Sequence, residues 1–128
     1  MTYYIATSLD AGFEAIVARV EAALKEEGFG VLTRIDVRDT MKAKLDKDFR
    51  PYVILGACNP KLAYEALQLE DKVGTMLPCN VVVQQSSPGK IEVAAVDPVA
   101  SMQAIDNPRL KEAAIAVREK LSRVIASL

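Results

Sequence analysis

Two cysteines carry the only obvious chemistry in this chain, which has no histidine. Cys58 sits in Gly56-Ala57-Cys58-Asn59-Pro60 and Cys79 in Leu77-Pro78-Cys79-Asn80-Val81, so each thiol is followed by asparagine. Without histidine the usual general base and the commonest metal-binding ring are missing. A thiolate supplies a nucleophile or a soft-metal ligand. Cys58 stands just before Asn59-Pro60, which reads as an N-cap followed by the first helical residue. Backbone N–H groups and the helix dipole favour an anion there, so this position predicts a stabilised thiolate. Cys79 has the same strand parity as Val81 and Val83, which sets it on the core face with Asn80 on the other. Cys58, Asn59, Cys79 and Asn80 are the candidate ligand-binding residues, and none is assigned a catalytic role. The competing reading makes both thiols core residues, since free cysteine packs like a small apolar side chain, and leaves Asn59 as a cap alone. No C-x-x-C spacing marks a metal site. A metal would need the strands to bring Cys58 and Cys79 together, or a dimer axis to gather four thiolates.

Composition narrows the classes. The chain has 128 residues, with 51% hydrophobic and 26% charged. That fits one soluble domain, residues 1–128, with a core of useful size. Sixteen Lys and Arg against 17 Asp and Glu leave a net charge of -1, too little positive field for nucleic acid. The N-terminus has no basic segment ahead of an apolar run. No stretch reaches the roughly 18 apolar residues of a membrane span. The expected compartment is the cytoplasm, where thiols stay reduced.

The elements that must position the thiols follow from periodicity. Tyr3 to Thr7 predicts a strand, with Ser8 or Asp10 capping the helix after it. That helix buries Phe13, Ile16, Val17, Val20 and Leu24 at helical spacing and ends at Gly28. Phe29, Val31, Thr33, Ile35 and Val37 alternate as a strand with one buried face. Asp39 to Leu45 predicts a short helix with Met41 and Leu45 inward. Tyr52 to Ala57 is a continuous apolar run and so a central strand, or one covered on both faces. Asn59-Pro60, Asp97-Pro98 and Asn107-Pro108 each mark a helix start. Those helices run from Pro60 to about Leu69, from Pro98 to about Ala104, and from Pro108 to Ser127. Met76 to Gln85 and Ile91 to Val96 form a hairpin around Ser86-Ser87-Pro88-Gly89. This order predicts an α+β domain with a mostly antiparallel sheet and the long helices on one face.

The remaining marked residues are weaker. Arg34, Arg38, Lys42, Lys44, Lys47 and Arg50 are interleaved with Asp36, Asp39, Asp46 and Asp48, the pattern of a solvated surface. Tyr52 and Tyr64 are candidates for a hydroxyl in a cleft, against a packing role. No nucleotide-binding glycine loop, paired-carboxylate or triad signature is present.

The run Phe49-Arg50-Pro51-Tyr52-Val53-Ile54-Leu55-Gly56-Ala57-Cys58-Asn59-Pro60 resembles the signature of the domain of unknown function 302 family. So do Leu77-Pro78-Cys79-Asn80-Val81-Val82-Val83, Asp97-Pro98 before Met102, and Gly28-Phe29-Gly30-Val31. The resemblance implies a curved antiparallel sheet related to the single repeat of the TATA-binding-protein class, and a homodimer. It carries no DNA function and no reaction. The expected function is a homodimeric binding or sensing module that holds a small ligand, a thiol modification or a soft metal at the Cys-Asn region; the cofactor is unknown. One alternative is a structural dimer serving as an interaction platform. The other is a small enzyme with Cys58 as nucleophile and Glu65 or a tyrosine in place of the missing base.

Overall fold

The computed structural model describes residues 2–128. Five strands form one open sheet: β1 (Tyr4–Asp10), β2 (Gly30–Asp36), β3 (Tyr52–Cys58), β4 (Cys79–Ser87) and β5 (Lys90–Val96). The spatial order is β1-β5-β4-β3-β2, and every neighbouring pair is antiparallel. The protein is therefore an α+β domain with an antiparallel sheet. The β4–β5 hairpin closes at Pro88-Gly89, where Gly89 takes φ +76°, a conformation that favours glycine.

Helices α1 (Phe13–Glu26) and α5 (Pro108–Ala126) lie on one face of the sheet. The apolar stripe of α1 (Ile16, Val17, Val20, Leu24) packs with Leu121 and Val124 of α5. Both rest on Val53, Leu55 and Ala57 of β3, Val81 and Val83 of β4, and Ile91, Val93 and Ala95 of β5. Period-two alternation in the three central strands puts all eight of these side chains on one face. A second, smaller core forms where α3 (Pro60–Leu69), a 3₁₀ turn (Asp71–Met76) and α4 (Pro98–Ser101) meet the first half of α5. It contains Ala66, Val73, Met102, Leu110 and Ala114.

Several expectations change. β1 runs through Ser8 and Asp10, which are strand residues; α1 starts after Gly12 with no side-chain cap. Ile5, Thr7 and Leu9 alternate with exposed neighbours to Asp10, so the strand pattern outweighs the cap signal. β2 is an edge strand whose register slips between Val31 and Thr33. The bulge leaves Leu32 67% exposed. It also sends Val31 beside Ala57 and Thr33 beside Gly56, which breaks the uniform alternation expected from Phe29 to Val37. α2 begins at Val37, with Asp36 as its cap, and buries no residue. Leu45 is 62% exposed rather than inward. β3 is central but covered on one face only: Tyr52 and Ile54 are half-buried.

The three Asx-Pro starts are helix starts. Asn59, Asp97 and Asn107 each accept backbone N–H bonds of the turn they cap. Asp97 is the one buried charged residue among the described residues, 4% exposed, and its Oδ2 lies 3.3 Å from Arg118 Nε on α5. Asn107 also donates from Nδ2 to the Leu69 carbonyl at 3.4 Å, tying α3 to α5. Asn107→Ala is expected to cost about 1 kcal/mol, the usual loss of a cap. Asp97→Ala is expected to cost about 2 kcal/mol, the upper end for a cap, because buried Asp97 accepts from two N–H groups of α4 and also meets Arg118. Urea denaturation of the two variants beside the parent measures both, and the order Asp97 above Asn107 is the discriminating result.

Candidate functional site

Ala57 at the end of β3 pairs directly with Cys79 at the start of β4. Cys58 therefore sits diagonally from Cys79, at the point where β3 turns into α3. Both thiols line one small cavity, with Phe29, Leu62, Leu77 and Val117 among its other walls. The sheet end forms its floor, and α3, α4 and α5 form its roof. Its volume is about 30 Å³. A water needs roughly 10–15 Å³ of such volume, whereas organic ligands occupy pockets of roughly 300–1,000 Å³. The space suits an ion or a one- or two-atom adduct.

Asn59 borders the same cavity, but its side chain is already in use. Its Oδ1 accepts the Leu62 N–H at 3.3 Å. Its Nδ2 packs against Gly28, 3.2 Å from where a Cβ would stand, and Gly28 takes φ +84°. Asn80 goes elsewhere. It is exposed and belongs to the opposite face of the sheet, as its parity required. Of the four candidates the structure brings together Cys58, Asn59 and Cys79, and separates Asn80.

The electrostatics reverse the sequence expectation for Cys58. Burial pushes its thiol up. Cys79 is 7% exposed, and its pKa is pushed up to about 11, first by burial and then by Cys58. The N–H donation that was to favour a thiolate goes to the Asn59 carboxamide, while the sulfur borders apolar walls. Both thiols are free. Among the described residues no group of three or more His, Cys, Asp and Glu stands ready for a metal.

Asn80 borders a larger hollow of about 390 Å³ on the uncovered face of the sheet, with Tyr4, Tyr52, Gln84 and Glu92. Tyr52 borders this hollow, and Tyr64 lines an outer groove between α3 and α5. Sequence reasoning missed Tyr4, Gln84 and Glu92. Their signal was parity: each belongs to the alternate set of its strand, opposite the core residues. Within the basic stretch, Arg34 lies 3.3 Å from Glu14 and Lys42 2.9 Å from Asp46.

Thiol labelling tests this geometry. In native buffer Cys58 is expected to label faster than Cys79, and both rates are expected to keep climbing past pH 9 instead of levelling off there. The linkage has a definite sign. A thiol whose folded pKa is raised from 9.0 to about 11 stabilises the fold fully below pH 9, and that contribution is lost as pH rises toward 11. Urea denaturation across this window should show a steeper fall for the parent than for Cys79→Ala. A labelling midpoint for Cys58 below that of a free thiol would contradict the structure.

The model of the family described as "Domain of unknown function DUF302" matches residues 5–128. A crystal structure of an uncharacterized conserved protein DUF302 from Bacillus stearothermophilus superposes with a TM-score of 0.90 and 31% identity, covering 98% of each chain. No curated protein matches the chain.

Proposed function

The chain belongs to the DUF302 family, and for this member we propose a homodimeric module that captures a soft metal ion, or a thiol-reactive group of similar size, between Cys58 and Cys79. One observation carries the reading: two thiols from separate segments border one apolar cavity of about 30 Å³. Sulfur donors without oxygen or imidazole neighbours select soft ions. A two-coordinate ion replaces one proton on each sulfur and leaves as few charges as possible in an apolar space. A divalent soft ion gives a neutral dithiolate. A monovalent one leaves a single negative charge, fewer than the two thiolates would carry without it.

Raised thiol pKa values and the lack of histidine speak for a module over a thiol enzyme, since a nucleophile needs its thiolate near neutral pH. The small net charge supports a fold likeness to the TATA-binding-protein class without a DNA role. Free thiols fit a reducing cytoplasm, and no helix among the described residues is long and apolar enough to cross a membrane.

Titration with Ag(I) and Hg(II), followed by ultraviolet charge-transfer absorption and thermal unfolding, tests the site. One equivalent per chain is expected to bind and raise the unfolding temperature. Cys58→Ser and Cys79→Ser should each weaken it by about a hundredfold or more, since one thiolate ligand is lost, roughly 3 kcal/mol or more. If uptake occurs only as the protein unfolds, the cysteines are core residues. The second reading, a structural interaction platform, is favoured in that case by the near-complete burial of Cys79.

The dimer is supported by the β2 edge. Val31, Leu32 and Ile35 are all exposed there, on a strand whose outer backbone groups have no neighbouring strand. Apolar edges of this kind invite a second copy. Sedimentation equilibrium at micromolar concentration should give twice the 13.9 kDa chain mass, and Leu32→Asp should return the monomer. A parent that sediments as a clean monomer removes the dimer from the proposal.

A further inference from the structure

We propose that the uncovered face of the sheet carries a second site, independent of the thiols, that binds a small organic cation of the alkylammonium class between the Tyr52 ring and the Glu92 carboxylate. The hollow there, about 390 Å³, has the volume of a small-molecule site and over ten times that of the thiol cavity. Its floor is short and apolar. Val82 pairs with Ala94, which pairs in turn with Ala6, so small side chains in β5 and β1 deepen the surface.

Aromatic rings stand at opposite ends of this floor. Tyr52 is level with Gln84 and Glu92. Tyr4 is level with Val96 and meets Tyr3 edge-on, with centroids 5.1 Å apart. Tyr52 is the ring on the Glu92 row, two strands away, while Tyr3 and Tyr4 close the far end of the hollow. Ring faces attract cations, quaternary ammonium groups above all.

Charge makes the same selection. Among the described residues, and apart from tyrosine hydroxyls, Glu92 is the one ionisable side chain lining the hollow, and no Lys or Arg joins it. Its orientation is fixed from outside by a directed chain of hydrogen bonds. Arg50 Nε donates to Gln84 Oε1 at 2.9 Å, and Gln84 Nε2 donates to Glu92 Oε1 at 3.1 Å. The Arg50 guanidinium meanwhile lies 4.5 Å from the Phe49 ring centre and 5.4 Å from that of Tyr52. It is thus held beside the hollow and is absent from its lining. A carboxylate has more acceptor sites than this single donor uses. A second copy laid on this face would bury Glu92 with no cation among the lining residues to offset its desolvation. An ammonium ligand supplies that charge.

The probe is choline, compared with 3,3-dimethylbutan-1-ol, an uncharged molecule of the same shape. Binding to the full chain is followed by amide chemical shifts. Saturable choline shifts are expected at Val82, Ala94 and Val96, with the neutral isostere and Glu92→Gln each weaker by about tenfold or more, as expected for loss of a partly desolvated charge contact. Tyr52→Leu should weaken choline more than the neutral compound. Cys58→Ser and Cys79→Ser should leave all of these responses unchanged, so the thiol reading and this one fail separately. Equal response to both probes, shifts away from the open face, or a face sealed by a second copy and unresponsive to choline would overturn the proposal. Should Glu92→Gln fail to fold, the comparison of the two probes on the parent decides.

Discussion

Close packing at Gly56 fixes the geometry on which both faces of the sheet depend. A Cβ there would overlap Thr33 Oγ1 and stand 2.8 Å from Pro78 Cγ. Three segments therefore converge on one backbone position: the bulged edge β2, the central β3 and the entry to β4. A slip of one residue in β3 would put a side chain where none fits, and it would also turn Val53, Leu55 and Ala57 out of the core. Holding Gly56 in place sets Ala57 opposite Cys79, and that pairing brings Cys58 to the same cavity. The two thiols meet because the strand register has no nearby alternative.

The same register divides the molecule into two environments with different chemical capacity. Under the helices, no buried side-chain nitrogen or oxygen among the described residues lacks a hydrogen-bond partner, and the residual space is atom-sized. Thiols there stay protonated, because a thiolate would lose its hydration and gain no donor. On the uncovered face, Gln84, Glu92, Asn80 and the tyrosines surround a broader apolar floor. A single parity rule thus assigns the two halves of the second Cys-Asn motif to separate sites. Cys79 points into the enclosed cavity and Asn80 borders the open hollow.

What the sequence made legible was local. Asn-Pro and Asp-Pro carry their own cap and first-turn geometry, so the starts at Pro60, Pro98 and Pro108 needed no tertiary information. The parity of Cys79, Val81 and Val83 was likewise readable. Three features depended on partners distant in the chain. The bulge at Leu32 exists because β2 must pass Gly56 with Thr33 facing it. The exposure of Leu45 reflects where α2 sits, at the β2–β3 side of the sheet, away from the helical layer. The rise in thiol pKa comes from the roof over the cavity, which draws on residues as far apart as Phe29 and Val117. A position before a helix start suggested an activated thiol. The cap residue beside it had already taken the N–H group.

That roof also governs access. The main core joins α1 and the second half of α5 to four strands and is continuous. The second core, under α3 and α4, rests on Ala66, Val73, Met102, Leu110 and Ala114. It contains fewer large side chains, and less apolar burial means less stabilisation, about 25 cal/mol for each Å² removed from water. Its helices are secured by discrete polar ties instead: Asn107 to the Leu69 carbonyl, and Asp97 to both the first turn of α4 and Arg118. Regions with modest apolar contact open at lower cost than the global fold. The side of the cavity built by α3 and α4 is therefore the side that opens at lower cost, and the Asx caps that begin these helices help to hold it in place.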